Sequence, residues 1–160
     1  MDQTHANQPL WTPSPDYADG SRINQFRLHL NEVLGLNLTD TTDLHAFSVN
    51  ERERFWVALK DYTGVRAETW GDTVLVDGDK MPGAKWFPDA RLNYAENLLR
   101  RRDGAEAIVF RSENGSRRAV TFAELYDQVS SLTQYLKARG VRSGDRVAGY
   151  LPNMPEAVAA

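Results

Sequence analysis

Residues 105–140 read AEAIVFRSENGSRRAVTFAELYDQVSSLTQYLKARG, and this stretch decides the fold class. Ala107-Ile108-Val109-Phe110 is a run of strand-forming residues. Glu113-Asn114-Gly115-Ser116 follows, and Asn-Gly between apolar runs marks a tight hairpin, because the favoured turn needs positive φ at both central residues. Arg117 to Val120 is then the return strand. Thr121 and Glu124 have capping-box spacing, so each can satisfy an orphan N–H at the start of a helix. Phe122, Leu125, Val129, Leu132 and Leu136 recur at helical spacing on one face, and Gly140 is placed to stop the helix. A hairpin feeding an amphipathic helix predicts a mixed α/β fold.

Toward the C-terminus, residues 146–151 read as another strand. Asn153-Met154-Pro155-Glu156 then opens a further helix, with a capping Asn, an early Pro and an acidic first turn. About two turns remain before Ala160, which is marginal for a helix without tertiary support. A helix entered from a buried-type strand returns to a parallel neighbour through a crossover. The expectation is therefore the leading piece of a longer enzyme.

Toward the N-terminus, residues 89–102 predict a helix starting near Ala90, with Leu92, Ala95, Leu98 and Leu99 on its apolar side. Arg100-Arg101-Arg102 would complement its C-terminal dipole. Residues 73–76 predict a short strand and Asp77-Gly78-Asp79 a turn; the rest of a calcium-ligand ladder is missing. Residues 48–62 predict a helix opened by a Ser48–Glu51 capping box, carrying Phe55, Trp56, Leu59 and Tyr62, and closed by Gly64. Residues 21–34 predict another, with Ile23, Phe26, Leu30, Val33 and Leu34 as its stripe and Gly35 as its stop. His29 and Glu32 share a face there, two ligands short of a zinc site. Residues 1–20, with Pro9, Pro13 and Pro15, read as an extended arm whose Trp11 and Tyr17 dock on the domain surface.

Composition narrows the function classes. The 160 residues contain no cysteine, which removes disulfides, thiolate metal sites and a cysteine nucleophile. With 19 Lys+Arg against 22 Asp+Glu, and short arginine clusters, nucleic acid is a poor partner. No apolar run reaches membrane-span length, and the polar N-terminus lacks a secretory pattern, so a cytoplasmic setting is expected. Charge is uneven: residues 1–80 hold 7 Lys+Arg and 13 Asp+Glu, and residues 81–160 hold 12 and 9. His5, His29 and His45 have no triad spacing, and the glycines form no phosphate loop. No catalytic, cofactor-binding or metal-binding residue is assigned.

Lys85-Trp86-Phe87-Pro88-Asp89-Ala90-Arg91-Leu92-Asn93-Tyr94-Ala95-Glu96-Asn97-Leu98-Leu99 resembles the N-terminal region of the acetyl-CoA-synthetase-like enzymes of the adenylate-forming superfamily. Its form is closer to the acetoacetate–CoA ligases than to the acetate-activating members. Residues 44–49 through Phe55-Trp56 resemble the helical extension of that group. Gly140-Val141-Arg142-Ser143-Gly144-Asp145-Arg146-Val147 and Leu151-Pro152-Asn153-Met154-Pro155-Glu156-Ala157 resemble the opening of the superfamily's large adenylation domain.

The resemblance implies three parts: 1–20 an arm, 21–102 a helical N-terminal extension, and 103–160 the start of an AMP-binding domain. It implies a two-step reaction in which an acid becomes an acyl-adenylate and then a coenzyme A thioester. ATP, Mg²⁺ and coenzyme A serve the parent enzyme, and the remainder of the adenylation domain is the partner in cis. The family's catalytic and nucleotide-binding motifs have no matching positions here, so this segment alone is expected to be inactive and to bind no cofactor. Phe55, Trp56, Trp86, Phe87 and Leu92 would form the junction with the large domain, and truncating Trp86 would cost about 3–5 kcal/mol in the full enzyme. An acetyl-, propionyl- or other acyl-CoA synthetase, or a stand-alone non-catalytic interaction domain, are the competing readings.

Overall fold

A computed structural model describes residues 9–160. Contacts divide the chain into two units, Met1–Leu92 and Asn93–Ala160, which are taken in turn.

The first unit is helical. Helix α1 (Pro15–Asp19) lies within the stretch expected to be extended, opened by Pro15 and by the Ser14 side chain, which accepts from the Tyr17 N–H. Trp11 and Tyr17 stack edge to face at 6.2 Å but stay largely exposed, contrary to the expected docking. Helix α2 (Arg22–Leu34) runs as expected, between a Ser21 cap and Gly35 at φ 65°. Asn31 folds the next turn back, accepting from the Leu38 N–H at 2.8 Å and donating to its carbonyl at 3.0 Å.

The expected helix over 48–62 is instead two helices, α3 (Thr41–Asn50) and α4 (Arg52–Thr63). Asp40 is the working cap, accepting from the Thr42 and Asp43 N–H groups. Ser48 sits inside α3 and donates to the His45 carbonyl at 2.7 Å. The break at Glu51 lets both helices reach one core: Leu44 and Phe47 from α3 and Ala58 from α4 pack with Phe26 and Leu30 from α2. A helix unbroken through residue 51 would have kept one stripe and lost the other face.

Strand β1 (Leu75–Val76) pairs antiparallel with β2 (Lys85–Trp86), Leu75 opposite Trp86. The expected strand over 73–76 is thus shorter, and its partner was not foreseen. Arg52 holds the connecting loop, donating to the Gly78 carbonyl at 2.7 Å and to Asp79 at 2.9 Å. Arg91 bridges to Thr69, with the Arg91 N–H on the Thr69 carbonyl at 2.9 Å.

In the second unit, α5 (Tyr94–Leu98) is much shorter than the helix expected over 89–102. The Thr69–Arg91 bridge holds residue 91 extended, and the Asn93 side chain starts the helix by accepting from the Glu96 N–H. Strands β3 (Glu106–Arg111) and β4 (Arg117–Thr121) form the expected hairpin, with Phe110 opposite Arg118 and Arg111 opposite Arg117, but its turn differs: the Gly115 N–H closes on the Ser112 carbonyl, so Glu113 and Asn114 are the central residues, and of the Asn-Gly pair Gly115 alone has positive φ. Helix α6 (Phe122–Ala138) follows directly, opened by the full Thr121–Glu124 capping box. Residues 146–151 form no strand: the segment has no ladder partner among the described residues. Helix α7 (Pro155–Ala159) has Pro155 at its start, but Met154 occupies the cap position and no side chain caps it; Asn153 does not serve. The fold is mixed helix with small antiparallel sheets.

Candidate functional site

Two surfaces stand out, one in each unit. In the first, an open apolar depression of about 540 Å³ lies between α2 and α4, floored by Val33, Leu34, Val57, Ala58 and Val74. Its rim carries both signs of charge, Glu53, Arg54 and Asp61, and the half-buried His29. His29 stacks on Tyr62 at 4.8 Å, so it is an aromatic-packing residue, and Glu32 forms no metal site with it. Helical periodicity found Val33 and Leu34 but only as part of an amphipathic stripe. Val57 lies off the aromatic stripe of α4, which is why the depression escaped the sequence reading.

Beside it runs an aromatic ladder. Phe26 meets Phe55 at 5.8 Å, Phe55 meets Trp56 at 5.5 Å, and Trp56 meets Trp86 at 5.7 Å. Three of the expected junction residues therefore join. Phe87 turns away, with positive φ (43°), and packs on Trp70 at 5.4 Å; its N–H donates to the Val74 carbonyl at 2.7 Å. Leu92 is half exposed and joins neither group.

In the second unit the α6 stripe of Phe122, Leu125, Val129, Leu132 and Leu136 is only half buried. Val147, Tyr150, Leu151 and Val158 are exposed nearby in sequence. Of the arginines after α5, Arg100 donates to the Asn97 carbonyl in the helix's last turn at 3.1 Å, as expected of a cation at a helix C-terminus, while Arg101 and Arg102 lie over aromatic rings. The Arg101 guanidinium lies 4.6 Å from the Phe122 ring centre and that of Arg102 lies 3.8 Å from Tyr126.

The electrostatics are those of caps and surface pairs. Arg101 donates to Asp103 at 2.6 Å and holds its carboxyl below the usual range, with help from the Ala105 N–H. The Thr121 N–H, then its hydroxyl, does the same for Glu124. Arg118 and Glu156 pair at 2.6 Å, lowering the acid and raising the base. Hydrogen bonds from the Thr39 side chain and N–H lower Asp43. None of these groups is buried, and each serves a turn, a cap or a surface pair. Asp77 and Asp79 are neutralised by Lys80 at 3.0 Å and Arg52 at 2.9 Å. Among the described residues no three His, Asp or Glu side chains converge on a metal position, so none is assigned to Mg²⁺. No helix of the described residues is long and apolar enough to cross a membrane.

Residues 41–98 match the family model for the acetyl-coenzyme A synthetase N-terminus, and residues 95–160 match that for the AMP-binding enzymes. An acetoacetyl-coenzyme A synthetase of Rhizobium meliloti is 42% identical over 154 residues, covering 96% of this chain. Residues 41–160 thus match, in two successive parts, the models of the acetyl-coenzyme A synthetase N-terminus and of the AMP-binding enzymes. It is similar in structure to an acetoacetyl-CoA synthetase from Streptomyces lividans, with a TM-score of 0.84 and 44% identity over 95% of the chain. A malonamoyl-CoA synthetase of Penicillium aethiopicum is 34% identical over 142 residues, 84% of the chain and 20% of that protein. The chain spans about a quarter of the length of its acetoacetyl-CoA synthetase relatives, 24% in both Rhizobium and Streptomyces, and corresponds to their N-terminal part. The two family matches meet inside α5, at residues 95–98.

Proposed function

We propose that this chain is the N-terminal portion of an acetoacetate–CoA ligase. The parent enzyme joins acetoacetate to ATP, giving an acyl-adenylate and pyrophosphate, and the coenzyme A thiol then displaces AMP to give acetoacetyl-CoA. The observation carrying this reading is the 42% identity to an acetoacetyl-coenzyme A synthetase over 96% of the chain. The work of these residues is architectural. Residues 1–20 lead in, 21–102 form the helical extension with its aromatic ladder, and 103–160 open the adenylation domain. The remainder of that domain is the partner in cis, and the half-buried stripe of α6 is the surface it covers. Nucleotide, Mg²⁺, acid and thiol are held elsewhere, and no residue here is assigned a catalytic role. The absence of cysteine and of any membrane-crossing helix among the described residues fits a cytoplasmic enzyme.

A second reading keeps the chemistry and changes the acid. The malonamoyl-CoA synthetase resemblance favours it, since that protein shares the same region. Acetate, propionate and malonamate are the acids to set against acetoacetate. ATP–pyrophosphate exchange with each acid, on the full-length protein and on the 160-residue chain, tests both. Exchange is expected with acetoacetate for the full-length protein and none for the short chain. Exchange with another acid alone selects the second reading; exchange by the short chain overturns the architectural role.

A further inference from the structure

The turn between β3 and β4 carries chemistry unrelated to the ligase reaction. Asn114 and Gly115 are exposed at its tip, and Gly115 has φ 83° with open space where a Cβ would stand. The Asn114 Oδ1 accepts two hydrogen bonds: from the Ser116 N–H at 3.0 Å and from the Ser112 hydroxyl. The Ser112 and Ser116 hydroxyls are 2.6 Å apart. With the single Ser112 proton directed at Asn114, the Ser116 hydroxyl is the donor of that second contact. The Gly115 N–H is tied to the Ser112 carbonyl at 2.9 Å, which fixes the turn.

We propose that Asn114 is a built-in deamidation site, activated by Ser112 and Ser116. An amide carbon is attacked more readily when donors hold the oxygen on which charge develops, the same physics as an oxyanion hole. Solvent hydroxide removes the Gly115 N–H proton when the bond to Ser112 opens. The nitrogen pair forms a bond to Asn114 Cγ, and the carbonyl π pair moves onto Oδ1, between its two donors. The tetrahedral centre collapses, the Cγ–Nδ2 bond breaks, and Nδ2 leaves as ammonia with a proton from water. Water then opens the cyclic imide at either carbonyl, leaving aspartate or iso-aspartate. Glycine permits the step because its nitrogen is not shielded by a side chain. The iso-aspartate product adds a methylene to the main chain at the turn that sets the Arg111–Arg117 register, so it loosens the hairpin.

The test is ageing of the full-length folded protein at mildly alkaline pH, with peptide mass mapping and enzymatic methylation of iso-aspartate. Asn114 is expected to convert ahead of the chain's other asparagines. Ser112→Ala should slow its conversion several-fold in the folded protein and leave the rate unchanged in urea. Hydrogen-exchange protection of β3 and β4 checks that the variant hairpin is intact; if it is not, Ser112→Thr, which keeps the hydroxyl, must deamidate at Asn114 as the wild type does. An intact Asn114 in aged protein, or a folded rate indifferent to Ser112→Ala, overturns the proposal.

Discussion

The two units contain similar helix and strand grammar but bury it differently. In the first, α2, α3 and α4 close on Phe26, Leu30, Leu44, Phe47 and Ala58. In the second, Val120 and Pro155 are the buried residues among those described, although α6 is the longest helix and has a complete capping box. Caps and periodicity create elements; burial requires a second apolar face opposite. The first unit supplies that face within itself through the break at Glu51. In the second, the α6 stripe is half covered and residues 146–151 have no ladder partner among the described residues.

The sharpest way to break the comparison is to cut one leucine from each unit. Leu30 has no solvent exposure, so Leu30→Ala should cost about 2–5 kcal/mol in urea titrations of the 160-residue chain. Leu132→Ala, on the half-covered stripe, should cost under about 1.5 kcal/mol there, because less area leaves water on folding. In the full-length protein its cost should rise toward that of Leu30. Equal costs in the short chain would erase the distinction between the units.

Trp86 comes next. It leans on Trp56 but keeps 38% of its surface exposed. Trp86→Ala should therefore cost about 1.5–3 kcal/mol in the short chain. The expected 3–5 kcal/mol belongs to a fully buried ring, as in a junction covered by the rest of the enzyme. Denaturant midpoints of both lengths separate the two; identical losses would mean that nothing further covers Trp86.

Two cap substitutions follow, smaller and opposite. Thr121→Ala should cost about 1 kcal/mol, since its hydroxyl and N–H complete the capping box. Ser48→Ala should stay within about 0.5 kcal/mol, because Ser48 lies inside α3 and caps nothing. Thermal unfolding of both variants checks the pair, and a larger loss at Ser48 would restore the helix start expected from its spacing with Glu51.

The same pair shows what was legible in the sequence. The β3–β4–α6 order was read correctly because its signals are local: Gly115, at positive φ, ends a turn centred one residue earlier than the Asn-Gly pair implied, and Thr121–Glu124 sets the helix start. The α2 limits, Ser21 and Gly35, were legible for the same reason. Ser48–Glu51 had the same spacing as Thr121–Glu124 and failed, because Asp40 caps upstream and Leu44 and Phe47 are drawn into the core. The helix expected over 89–102 failed because the Thr69–Arg91 bridge, a contact across the chain, holds its first turn extended. Strand 146–151 has the residues of a strand, but a strand exists only with a partner. The family resemblance was most specific at Trp86–Leu99, and the depression beside His29 was missed because Val57 lies off the aromatic stripe of α4 and Val74 comes from outside both helices. No functional side chain was predicted, and the charged groups described here are caps and surface pairs.

Acid should separate the units most finely. Asp103, Glu124 and Glu156 in the second unit and Asp43 in the first all have folded carboxyls held below their ordinary values. A depressed folded pKa contributes stability above the unfolded pKa, about 3.9 for Asp and 4.3 for Glu, and that contribution is lost as pH falls through the folded value. Protonated Glu124 no longer accepts from Thr121 as a carboxylate, and protonated Glu156 releases Arg118. Lowering the pH below about 4 should therefore loosen α6 and the β4–α7 contact before the α2–α4 core, because the first unit has apolar burial to fall back on and the second has little. Amide exchange followed from neutral pH into acid should show protection falling first along residues 122–138. Glu124→Gln should already have lost part of that protection at neutral pH and respond less to acid, since its amide cannot titrate. Uniform loss across both units, or an α6 that stays protected while α2 opens, would show that these exposed carboxylates do not set the order in which the chain comes apart.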